Sequence, residues 1–366
     1  MKHTELSTKK DLANYLRCDL LFLEKAIEDD YFIRNIDTFN QEDVLLASLT
    51  SLNNNIISVD QFKLRKKGHN GGFRTVHKIW TLQLKNSLKI LNNHLIQIFT
   101  PLDIVHGFVK GKNIRSNAEC HLAKKLVLSV DIKDYFETIT EKMVEEALIS
   151  IGYNENIALW IAKIVTIDNH LVQGFCTSPT LANIVTNQLD KELKKLCGKK
   201  ITYTRYADDL YFSSNTEEIP LESIKLTIEK HNFLLNDKKT KFMKRGQKQY
   251  VTGLTIFDSY IPRISKKRKK NIRLEINYIE RVGYRSHTVH KLIKEGEDPD
   301  SLDFYSKLGE EIKLTRNRLY GWLHFIQSIE PQFAKKYYKK LNDIDQKYIL
   351  MAKLNALKKN ARNSDI

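Results

Sequence analysis

Apolar residues at Leu12, Leu16, Leu20 and Leu23 follow a polar start and predict an N-terminal helix capped by Ser7. Around residues 59–80 the texture changes to short strand-like pieces interrupted by Gly68, Gly71 and Gly72. The segment KLRKKGHNGGFRTVHK predicts a basic hairpin with a flexible tip. Residues 126–132, LVLSVDI, form a nearly continuous apolar run closed by a carboxylate, the pattern of a buried central strand with Asp131 at its end. A helix capped by Thr140 carries Val144 and Leu148 and ends at Gly152. Residues 177–197 predict a longer helix, capped by Thr177 or Ser178 with Pro179 at its first position. Its stripe is Leu181, Ile184, Val185, Leu189, Leu193 and Leu196. ITYTRYADDLYFSS, residues 201–214, predicts two strands bent at Ala207-Asp208. YVTGLTIFDSYIPRI, residues 250–264, predicts a second hairpin turning near Asp258-Ser259. From about residue 266 the pattern is helical. Ile312, Leu319, Leu323 and Ile326 share one face, and Phe333, Tyr337, Leu341, Ile344, Tyr348 and Met351 line a further helix. The chain therefore reads as α+β, with a mixed centre, a helical C-terminal lobe and no internal repeat.

Charge sharpens this picture. The 366 residues include 60 Lys and Arg against 44 Asp and Glu, a net charge of +16, which favours a polyanionic partner. No apolar run is long enough to span a bilayer, and MKHTELSTKKDLANYL lacks an apolar signal core, so a cytoplasmic protein is expected. Cys18, Cys120, Cys176 and Cys197 are scattered without a CxxC, which speaks against zinc and against a disulfide framework.

The chemistry lies in three carboxylates. Asp131 closes a buried strand, and Asp208 and Asp209 occupy a tight bend between apolar strands. An isolated Asp-Asp bend is usually a solvated turn. Inside a hydrophobic hairpin, adjacent acids are costly unless a cation neutralises them. Mg²⁺ suits a few carboxylate oxygens plus substrate phosphates, and two such ions about 3.5–4 Å apart can activate an attacking hydroxyl and stabilise a leaving pyrophosphate.

Several motifs in register carry a resemblance. Tyr206-Ala207-Asp208-Asp209 resembles the YxDD motif of reverse transcriptases, and TRYADDLYFS looks like the bacterial branch. VDIKDYF, with Asp131, is similar to their first catalytic motif. QGFCTSPTLAN resembles their QGxxxSP motif, and NDKKT their later lysine motif. Asn117-Ala118-Glu119-Cys120-His121 resembles the NAxxH signature of retron enzymes, Val251-Thr252-Gly253 their VTG signature, and GWLHFIQSIEP their closing segment.

The resemblance implies a right-hand polymerase fold. Residues 1–58 would be an N-terminal helical extension, 59–125 fingers, 126–260 palm with a fingers insertion at about 141–172, and 261–366 a basic RNA-binding thumb. It implies an RNA-directed DNA polymerase that uses dNTPs and copies part of a cognate structured non-coding RNA. Priming would come from an internal 2′-hydroxyl, leaving branched RNA-linked DNA (retron msDNA). A separate effector protein and a role in anti-phage defence would accompany it. A group II intron-like or abortive-infection reverse transcriptase, an RNA-directed RNA polymerase and a non-catalytic RNA-binding scaffold are the alternatives.

Residue by residue, the resemblance assigns two Mg²⁺ ions to Asp131, Asp208 and Asp209, with the Ile132 carbonyl as a further oxygen. Lys67 (or Lys66) and Arg74 would grip the incoming triphosphate; the alternative is a basic hairpin touching template phosphate. Phe136 would exclude a ribose 2′-hydroxyl, or simply pack in the core. Gln173 would touch template or nucleotide while Gly174 allows close backbone approach. Lys239 (or Lys238) would protonate pyrophosphate, or sit in a polar surface turn. Asn117, His121, Val251, Thr252 and Gly253 would recognise the RNA, the structural alternative being a helix-capping His121 and a strand bulge at Gly253. Residues 261–294 hold 11 Lys and Arg against 2 Glu. Their densest run, Lys266, Lys267, Arg268, Lys269 and Lys270, would bind RNA phosphates.

Overall fold

A computed structural model describes residues 2–28, 31–36, 57–65, 72–216 and 218–364. They form two compact units, Met1–Lys248 and Gln249–Ile366. The first unit begins with α1 (Lys9–Leu16) and α2 (Leu20–Ile27). The cap of α1 is Thr8 rather than Ser7. The Thr8 hydroxyl accepts the Asp11 N–H at 3.1 Å and the Asp11 carboxylate accepts the Thr8 N–H at 2.9 Å, a reciprocal pair that Ser7 is one residue too early to form.

β1 (Tyr31–Ile36) pairs parallel with β2 (Ile57–Arg65), which pairs antiparallel with β3 (Phe73–Ile79). The basic hairpin is thus present, but its neighbour β1 was not expected from the sequence. What fixes β1 is nonlocal: Arg34 forks onto Asp60 of β2 (2.9 and 3.1 Å), whose carboxylate is 1% exposed and also accepts the Trp80 indole N–H. Lys66 and Lys67 lie outside the described residues.

α3 (Leu82–Ile98) and α4 (Ile114–Glu119) lead to the central sheet. Its order is β7-β8-β4-β9, all antiparallel, from β4 (Leu126–Asp131), β7 (Ile201–Tyr206), β8 (Asp209–Ser214) and β9 (Lys241–Lys244). β5 (Thr166–Ile167) and β6 (His170–Leu171) form a small separate hairpin. Between β4 and β5 run α5 (Tyr135–Thr138), α6 (Glu141–Ser150) and α7 (Glu155–Val165); Thr140 caps α6 as expected. The predicted long helix is two helices, α8 (Ser178–Val185) and α9 (Asn187–Cys197). The break falls at Thr186 (ψ −1°), whose hydroxyl bonds back to the Ala182 carbonyl at 2.7 Å, a backbone competitor that periodicity does not register. α10 (Leu221–Lys230) then precedes β9.

The core of this unit is continuous. Val127, Leu128 and Val130 of β4, Leu210 and Phe212 of β8, and Leu181, Leu189 and Leu193 of α8 and α9 are at most 1% exposed.

The second unit opens with a tight hairpin, β10 (Tyr250–Val251) and β11 (Leu254–Thr255). Its turn is Thr252-Gly253, both at positive φ (47° and 78°), the conformation that suits a two-residue hairpin. The expected Asp258-Ser259 turn is instead a wider loop closed by the Thr255–Arg263 bridge. Three helices follow: α11 (Lys266–Lys294), interrupted at Gly283, α12 (Phe304–Gln327) and α13 (Pro331–Ser364). Glu330 accepts the Ile264 N–H (2.8 Å) and the Lys269 ammonium (2.7 Å), tying residues 255–264 to these helices. The units divide at 248/249.

Leu128→Ala should test the central strand. Removing a fully enclosed side chain costs roughly 2–5 kcal/mol, read as a lower denaturant midpoint at unchanged slope. A loss well under 1 kcal/mol would contradict the packing described.

Candidate active site

The β7–β8 hairpin brings the acids together. Tyr206 and Asp209 are register partners, leaving Ala207-Asp208 as a two-residue bend, and Asp209 also faces Asp131 across the β8–β4 ladder. The Ile132 N–H donates to the Asp208 carbonyl at 2.9 Å, locking the end of β4 to the bend. Antiparallel register, rather than nearness in sequence, makes the three carboxylates one cluster.

Burial and mutual repulsion govern its charge. Burial is the first cause raising Asp209, followed by the charges of Asp208 and Asp131, and its carboxyl is pushed up to about 7. Asp208 is raised as well, chiefly by burial; among the opposing influences are the charges of Lys239 and Arg74. Lys239, itself exposed, holds both oxygens of Asp131, at 2.9 and 2.8 Å; Lys238 is exposed too. With an ammonium engaging Asp131, no three Asp, Glu, His or Cys groups among the described residues form a closed metal-ligand set. The donor chemistry nevertheless fits a hard divalent cation. The donors are all carboxylate oxygens, crowded at one end of the two central strands, and positive charge relieves their repulsion.

Phe136 lies beyond this end, half-buried, with its ring 5.4 Å from Tyr135 and 6.2 Å from Phe108. Gln173 donates to Glu137 at 2.9 Å, and its carbonyl accepts the His77 N–H of β3 at 2.7 Å. Gly174 does allow a close approach, but by the chain's own backbone: a Cβ there would meet the His77 carbonyl oxygen at 2.0 Å. The QG pair thus docks β3 beside the site.

Burial bears on three of the residues expected to contact RNA. Asn117 and His121 are 0% exposed. His121 bridges Ser213 of β8 and Thr204 of β7 through its two ring nitrogens, each at 2.7 Å, and burial holds its imidazole down to about 3, hence neutral at neutral pH. It is enclosed and clasps the two strands that present the acids, rather than capping a helix. Val251 is likewise fully buried. Thr252 and Gly253 lie at the hairpin turn, with Gly253 exposed; its positive φ, rather than a bulge, explains the glycine.

The basic run occupies the start of α11. Lys266, Lys267, Arg268 and Lys270 are exposed, Arg268 stacks over Trp322 at 4.2 Å, and Lys269 is paired internally with Glu330. Cations are unfavourable at a helix N-terminus, so four exposed ones there are not explained by helix stability.

Residues 64–278 match the reverse transcriptase (RNA-dependent DNA polymerase) family. The chain belongs to that family. Among curated relatives, the retron Mx65 reverse transcriptase of Myxococcus xanthus is 32% identical over 51% of this chain and 48% of its own length. The retron Ec86 enzyme of Escherichia coli is 28% identical over 78% of this chain and 81% of its length. The Escherichia coli Ec83 enzyme is 25% identical over 70% and 80%. The first of these alignments thus spans only about half of its relative. The chain is thus a reverse transcriptase of mixed α+β structure whose matched curated relatives are retron enzymes.

Sequence motifs missed what holds the reverse transcriptase site from below. Arg205 and Asp190, 0% and 1% exposed at their side chains, form a buried ion pair under the bend, and Gly107 fits against Ala207. The Arg205-Tyr206-Ala207-Asp208-Asp209 adjacency was the available signal, since arginine inside an apolar strand demands a buried acid.

An acid raised in the folded state keeps its proton where the unfolded chain has released it. Stability contributed by Asp209 is therefore lost as pH rises from about 4 toward 7. In metal-free protein, Asp209→Asn should raise the melting temperature at pH 8, the gain shrinking as pH falls through 7 toward 4. A pH-independent difference would show that ionisation of Asp209 is not strained.

Proposed function

We propose that this protein copies part of a cognate structured RNA into DNA, priming from an internal 2′-hydroxyl and leaving an RNA-linked DNA product. The observation that carries the polymerase reading is the Asp131–Asp209 register pair with Asp208 in the adjoining bend. The family generally works with divalent metal ions and dNTPs, and we take the ions to be two Mg²⁺ held by Asp131, Asp208 and Asp209. When bound, they would supply Lewis-acid activation of the attacking hydroxyl and neutralise the leaving pyrophosphate.

The chain's own residues do the rest. Arg74, exposed on β3 and electrostatically felt at Asp208, offers a guanidinium to the triphosphate, with Lys67 as its expected companion. Lys239 stands at Asp131, where an ammonium can protonate departing pyrophosphate. The Phe136 ring would lie beneath the sugar and reject a 2′-hydroxyl, and Gln173 would steady the nucleotide end of the site. Residues 59–125 act as fingers, 126–260 as palm and 261–366 as thumb. Lys266, Lys267, Arg268 and Lys270 of the thumb, with Thr252 and Gly253 at the end of the palm, contact RNA. By its resemblance to retron enzymes, we take the protein to be cytoplasmic and its product to work with a separate effector protein in anti-phage defence. No helix among the described residues is long and apolar enough to cross a membrane.

Asp208→Ala or Asp209→Ala should abolish DNA synthesis while leaving RNA binding largely intact. Near-normal extension of a primer on an RNA template would refute the assignment. With wild-type protein, cognate RNA and dNTPs but no primer, the product should be DNA covalently joined to RNA. Strict dependence on an added primer would overturn the self-priming reading.

Phe136→Ala should raise ribonucleotide incorporation relative to deoxyribonucleotide. An active variant with unchanged sugar preference would return Phe136 to a packing role.

A further inference from the structure

Beneath the acidic bend lies a charge that the reaction does not obviously require. Arg205 belongs to β7 and its side chain is wholly buried. One side of the guanidinium is neutralised by Asp190 of α9: Nε donates to its two oxygens at 2.9 and 3.1 Å, and Nη2 to Oδ2 at 2.7 Å. The Tyr203 hydroxyl donates to the same carboxylate at 2.8 Å. This leaves Nη1 turned toward the catalytic elements. It donates to the Ala207 carbonyl (3.2 Å), the Tyr135 hydroxyl (3.2 Å) and the Asn183 Oδ1 (3.1 Å).

Each of those acceptors is attached to something that matters. Ala207 precedes the two acids and sits at φ 57°, a left-handed conformation disfavoured for residues with a Cβ. Tyr135 packs edge-on against Phe136, and its hydroxyl donates onward toward the Ala182 carbonyl (3.2 Å) or Thr186 (3.3 Å). Asn183 donates to the Gly107 carbonyl at 3.1 Å, and Gly107 lies so close to the bend that a Cβ would stand 2.2 Å from the Ala207 nitrogen. The Arg205 backbone joins the same knot, accepting from His106 N–H at 2.8 Å and donating to the Ile104 carbonyl at 3.0 Å.

We propose that Arg205 is a positioning residue. By gripping Ala207 and Tyr135 from one nitrogen it fixes the Asp208–Asp209 bend relative to the Phe136 ring, and thereby sets both the rate of nucleotide addition and the preference for deoxyribose. Asp190 supplies the compensating charge that lets the guanidinium stay buried. The proposal rests on the polymerase reading and on Phe136 as the sugar filter. Arginine is required for geometric reasons. Lysine keeps the charge but lacks a planar fork able to hold Asp190 on one side and three acceptors on the other.

A purely structural ion pair behaves differently, because apolar residues of similar volume can replace a buried pair without loss of stability. The test compares Arg205→Lys, Arg205→Met and the double variant Arg205→Met with Asp190→Leu, measuring melting temperature, kcat, KM for primer–template and the dNTP/rNTP ratio. Arg205→Met alone should destabilise, and the double variant should recover the melting temperature. Both Arg205→Lys and the double variant should remain about 10- to 100-fold low in kcat, the scale of a small misplacement of reacting groups, with KM for primer–template little changed. Their sugar discrimination should also narrow. A double variant that recovers both melting temperature and kcat would overturn the proposal. If neither Arg205 variant folds, Tyr135→Phe decides: it removes one hydroxyl and keeps the ring, and unchanged sugar discrimination would refute the coupling. Phe136→Ala, run in parallel, isolates the underlying reading, since its failure to relax discrimination would remove the sugar filter itself and not merely the role of Arg205.

Discussion

A guanidinium enclosed beneath a left-handed bend is the constraint around which the catalytic end of the sheet is organised. Burying a charge of this size is tolerable only with a partner, and breaking such a pair costs roughly 3–5 kcal/mol. That requirement brings α9, through Asp190, under β7. The donors left over then fasten α8, α5 and the bend to one another through Asn183, Tyr135 and Ala207. The strained backbone at Ala207 is held by contacts on several sides: Arg205 at its carbonyl, Gly107 against its nitrogen, and the β7–β8 ladder on both flanks.

Above this support the electrostatics run the opposite way. Below the bend, positive and negative charge are matched; at its surface, burial first and neighbouring carboxylate charge second raise the proton affinity of Asp208 and Asp209. A site that is unfavourably charged by itself but rigidly held is prepared for cations, because relief of the repulsion becomes binding energy and little rearrangement is needed. The Lys239 ammonium on Asp131 is the part of that relief the chain supplies itself.

The buried retron-type signature has a related role. The His121 imidazole, neutral and fixed at both nitrogens, joins β7 to β8 four residues along each strand from the acids, and Gln173-Gly174 holds β3 through His77. These residues serve the site through the scaffold. The exposed basic start of α11, where helix electrostatics disfavour lysine, is by contrast a surface that an anionic ligand would stabilise.

The sequence by itself determined the local elements and the identity of the acids. Alternation and apolar runs defined β4, β7 and β8, the Ala207-Asp208 bend fell between them, and a carboxylate at each strand end marked the chemistry, all of which depend on neighbours within a few residues. Its failures were of another kind. β1 depends on Arg34 reaching Asp60 from a distant segment, and the break at Thr186 on a hydroxyl that competes for a backbone carbonyl. The Thr252-Gly253 turn was passed over for the more polar Asp258-Ser259, although positive φ at both residues is what a two-residue hairpin demands. His121 looked like a recognition residue because a polar side chain with directional hydrogen bonds serves equally well in a core, where it bonds Ser213 and Thr204. Only tertiary structure decided that His121 clasps the hairpin, that Gly174 yields to His77 and that Arg205 finds Asp190. Burial and partnership are set by which segments meet in space, and a linear pattern carries the capacity of a side chain to bond without naming the group it will meet.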